Sequence, residues 1–295
     1  AILPNPILLP EGGEAFRPEG ERVVVYPTRG IARKNPGEAV LYAALTGETV
    51  VFTSSPAGRE ELAAYETWRT FSEESGFPVI FDASAKFGRP VYDFLLGADE
   101  CLTTSVEEGF GMAFLEPWAA GKKLFGRDLP EVTEDFREAG LCLDDLYLRW
   151  DIPRECLDST SIIDEIRRRL TDEWSAYEMP LTAEAWNAAM AAVWSPEGAD
   201  FGQLTPATQR QVIVTARTRG LQPPPRRPAG PEVIASNKAA LRKKFSLGNY
   251  GRQLLALYSG VLQAPAEAPE FLDASALLSR VLTPSPAPRK PRVEK

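Results

Sequence analysis

The chain has 295 residues, of which 44% are apolar and 25% charged, and its 41 acidic and 33 basic residues give a net charge of −8. This composition is typical of one large or two modest globular domains, and the acidic balance disfavours bulk nucleic-acid binding. The lack of histidine excludes histidine-based triads and the usual zinc sites, and no apolar run has the length of a membrane span.

Strand and helix patterns alternate along the first half of the sequence. Short apolar runs predict five buried parallel strands, at 22–26, 49–53, 78–81, 100–104 and 123–125. Apolar spacings of three and four residues, with proline and glycine at the ends, predict intervening helices at 36–45, 59–75, 90–96 and 112–120. This alternation predicts an α/β fold with a Rossmann-like, doubly wound parallel sheet, which binds ligands at the carboxyl ends of its strands.

The second half of the sequence is predominantly helical. Helices are predicted at 161–174, 183–194, 205–218, 232–245 and 249–262. We therefore expect five segments: a linker-like entry at 1–20, the Rossmann-like domain at 21–140, a helical insertion at 141–222, terminal helices at 223–264 that pack on the sheet domain, and a disordered tail at 265–295.

The cysteines and the N-terminal segment favour a cytoplasmic protein. Cys101, Cys142 and Cys156 lack CxxC spacing and are expected to be reduced thiols, and the first residues lack the basic region and cleavage site of a signal peptide.

A basic loop follows the first predicted strand. It contains Arg29, Arg33 and Lys34 in the run YPTRGIARKN. A guanidinium fork and an ammonium group that converge at the carboxyl edge of the sheet would suit a diphosphate, although the same residues also fit a solvated basic loop.

A second polar stretch, at 105–120, follows the fourth strand. In SVEEGFGMAFLEPWAA, Glu108 and Glu116 flank a glycine turn with seven residues between them. The glycines would let the backbone approach a ligand, the following helix would direct free N–H groups at a phosphate, and the carboxylates would accept hydrogen bonds from sugar hydroxyls. Alternatively, Glu116 caps an exposed helix and the glycines only form a tight turn. Thr103, Thr104 and Ser105 are interpreted as turn and cap residues.

Together, Arg29-x4-Lys34 and Glu108-x7-Glu116 resemble the signature of the retaining GT-B glycosyltransferases of family four. The run TSVEEGFGMAFLEPWAAGKKL is similar to that family's glycine-containing motif, and the resemblance covers about residues 22–140. It implies a metal-independent hexosyl transfer with retention, from a nucleotide-diphospho-sugar donor, without a cofactor or a protein nucleophile.

The resemblance also implies roles for individual residues. The catalytic set is Glu108, which contacts the transferred sugar, with Arg29 and Lys34, which hold and stabilise the departing diphosphate. Glu116 would bind the ribose hydroxyls. The remaining donor-binding candidates are Gly109, Phe110, Gly111, Met112, Ala113 and Arg127. From the residues alone, Arg127 would either contact the donor or belong to a structural salt-bridged loop.

Departures from the family pattern leave alternatives open. GT-B enzymes have two Rossmann-like domains, and the acceptor-binding first domain is not found here, so the chain is expected to be a fragment or to work with a separate N-terminal partner and to be inactive alone. A lysine pair at 122–123 replaces the usual proline. The alternatives are a donor-binding subunit without turnover and a phosphorylase-like or epimerase-like relative. No nucleic-acid partner and no metal are expected, and a peripheral membrane contact remains open.

Overall fold

The computed structural model describes residues 3–8, 12–227, 229–263 and 273. The chain divides into two compact units, and the first consists of Ala1–Leu148 with Ala216–Gln263. The second includes Arg149–Thr215. The segment boundaries predicted from the sequence stay a prediction, and the predicted tail at 265–295 lies, except for residue 273, outside the described residues.

The first unit contains a six-stranded, fully parallel sheet. Its strands are β1 (Val23–Tyr26), β2 (Thr49–Phe52), β3 (Val79–Ile80), β4 (Glu100–Thr103), β5 (Leu124–Arg127) and β6 (Leu146–Tyr147). The spatial order is β3-β2-β1-β4-β5-β6. The chain runs outward from β1 through β2 to β3 on one side, and from β4 through β5 to β6 on the other. This order confirms the doubly wound, Rossmann-like α/β fold.

Buried β-branched side chains explain why the central strand forms. Val23, Val24 and Val25 are all fully buried, as expected for a parallel strand that is covered on both faces. Val23 and Val25 pack in a core cluster with Phe94, Phe114 and Trp118. The centre of the sheet is therefore apolar and covered on both faces, and the polar candidates lie on the loops that leave its strands.

The helices of the first unit flank this sheet. They are α1 (Pro36–Thr46), α2 (Arg59–Glu74), α3 (Ala83–Phe87), α4 (Val91–Gly97), α5 (Glu116–Ala119) and α6 (Pro130–Glu138), and, later in the chain, Pro231–Lys244 and Leu247–Gln263. α1 begins at Pro36, where a missing N–H is tolerated, and ends at Gly47 with φ 74°.

The second unit is mainly helical. It contains α7 (Ser159–Ser175), α8 (Ala183–Val193) and most of α9 (Pro206–Ala216). Two short antiparallel strands, β7 (Asp151–Ile152) and β8 (Ala199–Asp200), pair within it. In chain order the two last helices of the first unit are then α10 (Pro231–Lys244) and α11 (Leu247–Gln263).

The single helix predicted at 112–120 is wrong. The chain instead forms a 3-10 turn at Met112–Phe114 and then the four-residue α5. Pro117 explains the break, because it lacks the N–H that a continuous helix would donate to the carbonyl of residue 113. The expected array of free N–H groups at a long helix terminus is therefore replaced by a short, irregular segment.

Candidate functional site

The candidate site lies where the strand order reverses, between β1 and β4. Their carboxyl ends lead into the loops at 27–35 and 104–111. In open α/β sheets, the crevice at this switch point is the usual ligand site. The two polar loops singled out in the sequence are thus brought to one crevice by the topology.

Hydrogen bonds fasten the two loops to each other. The Thr104 hydroxyl lies 3.0 Å from the carbonyl oxygens of Lys34 and Asn35 and donates to them. The Val106 N–H donates to the Arg33 carbonyl at 2.9 Å. Asn35 adopts a left-handed conformation, with φ 47°, which ends the 3-10 turn Ala32–Lys34 and starts α1. The backbone that carries Lys34 is therefore held by the β4 loop.

Lys34 and Glu108 form an ion pair across this junction. The Lys34 ammonium contacts Oε1 of Glu108, and the Ser105 hydroxyl donates to the same oxygen at 2.7 Å. The two paired side chains are only 14% and 6% exposed. Within the described residues, the other carboxylate oxygen, Oε2, has no hydrogen-bond partner. One oxygen of Glu108 is thus anchored and the other is available to a ligand.

Glu116, the first residue of α5, is half-buried beside this pair. Burial raises the pKa of the Glu116 carboxyl above its ordinary value, while the Lys34 charge lowers it and the Glu108 charge raises it further. No hydrogen bond to the Glu116 carboxylate is found among the described residues. A desolvated carboxylate without donors is a ready acceptor for hydroxyl groups.

Arg29 lies on the same loop as Lys34 but points into solvent. It is exposed and makes no ion pair within the described part of the chain. The next residue, Gly30, has φ 63°, and a Cβ there would lie 2.4 Å from the Tyr65 ring. Glycine is therefore required at the position that directs Arg29 outward.

The other residues of the glycine turn differ in environment. Gly109 borders open space, whereas a Cβ at Gly111, which has φ 88°, would lie 2.6 Å from Val132. Phe110 packs edge-on against Phe136 and Phe245, and Ala113 is buried. Met112 is half-buried. Of this turn, Gly109 offers the open backbone, and the donor-binding role assigned to the turn stays a prediction.

Arg127, also a donor-binding candidate, is buried at the end of β5. Its Nη2 and Nε donate to Glu38 at 2.5 and 3.1 Å, and its Nη1 donates to the Leu148 carbonyl at 3.2 Å. Tyr147 and Asn35 also donate to the Glu38 carboxylate, at 2.8 and 2.9 Å. The Arg127 guanidinium therefore serves an internal ion pair, and its proposed contact with a donor stays a prediction.

Sequence reasoning missed three contributors to the site: Tyr26, Glu38 and the hydroxyl of Ser105. Tyr26 is the last residue of β1, and its phenol oxygen lies 2.7 Å from the Ser105 hydroxyl oxygen. Glu38 reads as an ordinary acid in a first helical turn, and Ser105 reads as a turn residue. The only sequence signal for them was their position at the ends of strands and the start of a helix, along the carboxyl edge of the sheet.

The described residues contain no cluster of three or more histidine, cysteine, aspartate or glutamate side chains that could hold a metal ion. No helix in the described ranges combines the length and apolarity needed to cross a membrane. The crevice brings together the carboxylates of Glu108 and Glu116 and the ammonium group of Lys34, which match hydroxyl groups and a phosphate.

No family model matches the chain. A stretch of 117 residues is 36% identical to the mannosylglucosyl-3-phosphoglycerate synthase of Petrotoga mobilis. The match covers 39% of this chain and 23% of that relative, so the chain spans less than a quarter of the length of the curated relative it matches.

Solved glycosyltransferase structures resemble the chain more distantly. The pneumococcal O-GlcNAc transferase GtfA, solved with UDP and GlcNAc, has 15% identity over 85% of this chain and 38% of its own, with a TM-score of 0.41. The GtfA/B complex has 12% identity over 84% and 37%, with a TM-score of 0.40. TarM has 10% identity over 88% and 37%, with a TM-score of 0.38. These likenesses carry no functional assignment, and the fold assignment rests on the strand order.

Proposed function

We propose that this chain binds a nucleotide-diphospho-sugar in the crevice between β1 and β4 and supplies the donor-binding half of a retaining GT-B glycosyltransferase of family four. The observation that carries the proposal is the convergence of Lys34, Glu108 and Glu116 at the switch point of the sheet. The motif resemblance and the sugar-bearing product named for the Petrotoga mobilis relative support it.

Each charged residue has a matching part of the donor. Lys34 and the exposed Arg29 would neutralise the diphosphate, the lysine as a point charge and the arginine as a fork. The unpartnered carboxylate of Glu116 would accept hydrogen bonds from two ribose hydroxyls. The free Oε2 of Glu108 would accept a hydrogen bond from the transferred hexose.

The proposed transfer retains the configuration at the anomeric carbon. The bond between that carbon and the diphosphate oxygen breaks, and an acceptor hydroxyl forms its new bond from the same face. Its proton passes to the departing diphosphate oxygen, so no protein nucleophile or base is needed. Lys34 and Arg29 would stabilise the negative charge that grows on the leaving group, which is the differential binding that lowers a barrier.

The Lys34–Glu108 pair sets a condition on binding. Because Lys34 already contacts Glu108, the diphosphate must share or replace that contact. A dianionic ligand next to a partly buried cation offers more Coulomb energy than one carboxylate. Donor binding is therefore expected to release Glu108 towards the sugar while Lys34 turns to the phosphates.

Calorimetric titration with UDP, GDP and ADP, and with the corresponding hexose conjugates, tests the proposal. Lys34→Met and Glu116→Gln should each weaken binding of the preferred nucleoside diphosphate at least tenfold, because each removes a charged hydrogen-bonding group. Lys243→Met on α10 and Glu73→Gln on α2 are matched controls at exposed sites and should stay within about twofold. Unchanged affinity in both site variants refutes the proposal.

Turnover separates the enzyme from a donor-binding subunit. Donor hydrolysis and sugar transfer should be assayed with this chain alone and with candidate N-terminal partners. Robust transfer by the chain alone rejects the subunit alternative, whereas tight donor binding without transfer under every condition favours it.

A further inference from the structure

We propose that Tyr26 and Ser105 are positioning residues that hold Oε1 of Glu108, so that Oε2 is the atom that recognises the sugar. The inference rests on the proposed function for the identity of the ligand. It rests on the structure for the chain of hydrogen bonds, which runs from the end of β1 through the β4 loop to Glu108.

The direction of these hydrogen bonds follows from their last member. An ionised carboxylate only accepts, so the Ser105 hydroxyl must donate to Glu108, at 2.7 Å. With its one proton given to Glu108, the Ser105 oxygen acts as an acceptor, from the Tyr26 phenol at 2.7 Å and from the Thr103 hydroxyl at 3.4 Å. Burial raises the pKa of the Tyr26 phenol, which keeps its proton available for this bond.

The shorter of two contacts assigns the Tyr26 proton to Ser105. The phenol oxygen lies 2.7 Å from the Ser105 hydroxyl and 3.0 Å from the Lys34 carbonyl, which also accepts from the Thr104 hydroxyl. Tyr26, Thr104 and Ser105 are all buried, so water does not compete for these bonds. The order of donation is therefore Tyr26 to Ser105 to Glu108.

Two contacts hold one oxygen of the Glu108 carboxylate in place. Ser105 and Lys34 both contact Oε1, from two different loops. A group that is held in place before the ligand arrives does not lose that freedom on binding, so its contact contributes more to affinity. When the diphosphate draws Lys34 away, Ser105 becomes the remaining anchor, and its effect should be specific to ligands that carry a sugar.

The test compares nucleoside diphosphates with their sugar conjugates. Ser105→Ala and Tyr26→Phe are titrated with UDP and UDP-glucose and with GDP and GDP-mannose. In Ser105→Ala the affinity for the conjugate should fall about tenfold relative to the bare diphosphate, since the hydrogen bond to a charged group is lost. Tyr26→Phe should show a smaller loss of about threefold, because the Ser105 hydroxyl keeps its bond to Glu108.

Ser72→Ala is the matched control. Ser72 is a buried serine on α2 whose hydroxyl donates to the Trp68 carbonyl, so the substitution removes a comparable bond away from the crevice. It should leave the conjugate-to-diphosphate ratio unchanged. If Ser105→Ala also leaves this ratio unchanged, either because neither affinity falls or because both fall equally, the positioning role is overturned.

Crystal structures of ligand-free Lys34→Met, with and without Ser105→Ala, separate this inference from the proposed function. With Lys34 removed, Ser105 alone should keep the Glu108 carboxylate in its wild-type orientation, and the added Ser105→Ala substitution should let it rotate. An unchanged orientation in the double variant overturns the inference. If the wild-type protein binds none of UDP, GDP, ADP and their hexose conjugates, the proposed donor site fails, and the crystal structures alone decide whether Ser105 positions Glu108.

Discussion

Replacing Arg127 by methionine should cost much of the stability of the first unit. Its partner, Glu38, is fully buried, and the Arg127 side chain is only 4% exposed. The substitution removes the Arg127 charge from a carboxylate that also accepts hydrogen bonds from Tyr147 and Asn35. Breaking a buried ion pair on one side typically costs about 3–5 kcal/mol, a large share of a total that is usually about 5–15 kcal/mol.

A second variant distinguishes the lost charge from lost packing. In the double variant Glu38→Gln with Arg127→Met, the buried carboxylate is replaced by a neutral amide whose oxygen can still accept from Tyr147. The cost should then fall to about 1–2 kcal/mol, because one imperfectly satisfied polar group remains and no buried charge. The Glu38→Gln substitution should therefore offset much of the stability that Arg127→Met removes.

Urea unfolding followed by tryptophan fluorescence measures these free energies. Arg69→Met is the matched control, since Arg69 pairs with Glu66 on the surface of α2 and both side chains are well exposed. Such pairs contribute below about 1 kcal/mol. A loss under 1 kcal/mol in Arg127→Met, or a double variant as unstable as the single one, would show that the pair is not held as a buried charge.

The carboxylate and glycine positions of the crevice give two further predictions. Glu116→Gln should raise the free energy of unfolding at neutral pH. The pKa of Glu116 is higher in the folded than in the unfolded protein, so the stability of the wild type falls as pH rises through that interval. Urea unfolding at a series of pH values measures this gain, and its absence at neutral pH would contradict the prediction. Gly111→Ala should cost roughly 1–3 kcal/mol through its left-handed φ and the Val132 contact, whereas thermal scans should place Gly109→Ala within about 0.5 kcal/mol of wild type.

The long elements of the sheet unit could be predicted because their patterns are strong. The valine run at β1 and the apolar spacing of α2 were placed to within about a residue. α3 and β6 have only five and two residues, too few for a periodic pattern to emerge, and both were missed. α6 was also missed, although Val132 and Phe136 repeat at helical spacing, because its remaining residues are mostly polar.

Only the site residues that belong to a recognisable sequence motif could be predicted. Lys34 and Glu108 were expected at one edge of the sheet, and they are in contact. Tyr26 and Ser105 are 79 positions apart in the sequence, and Arg127 and Glu38 are 89 apart. Such pairs depend on which strands become neighbours, and a serine before a glycine turn looks the same whether it caps the turn or holds a carboxylate.

Glu38, Glu108 and Glu116 differ in how many hydrogen bonds the protein donates to their carboxylates, and this difference indicates which of them has capacity left for a ligand. Glu38 receives at least four hydrogen bonds, which is about as many as a carboxylate accommodates, and so has no capacity left for a ligand. Glu108 is satisfied at one oxygen only, and Glu116 receives no hydrogen bond from the described residues. A carboxylate without donors from the protein has the capacity to accept hydrogen bonds from the hydroxyl groups of a ligand. The gradient from Glu38 through Glu108 to Glu116 therefore points to the part of the crevice where hydroxyl groups of a ligand would be bound.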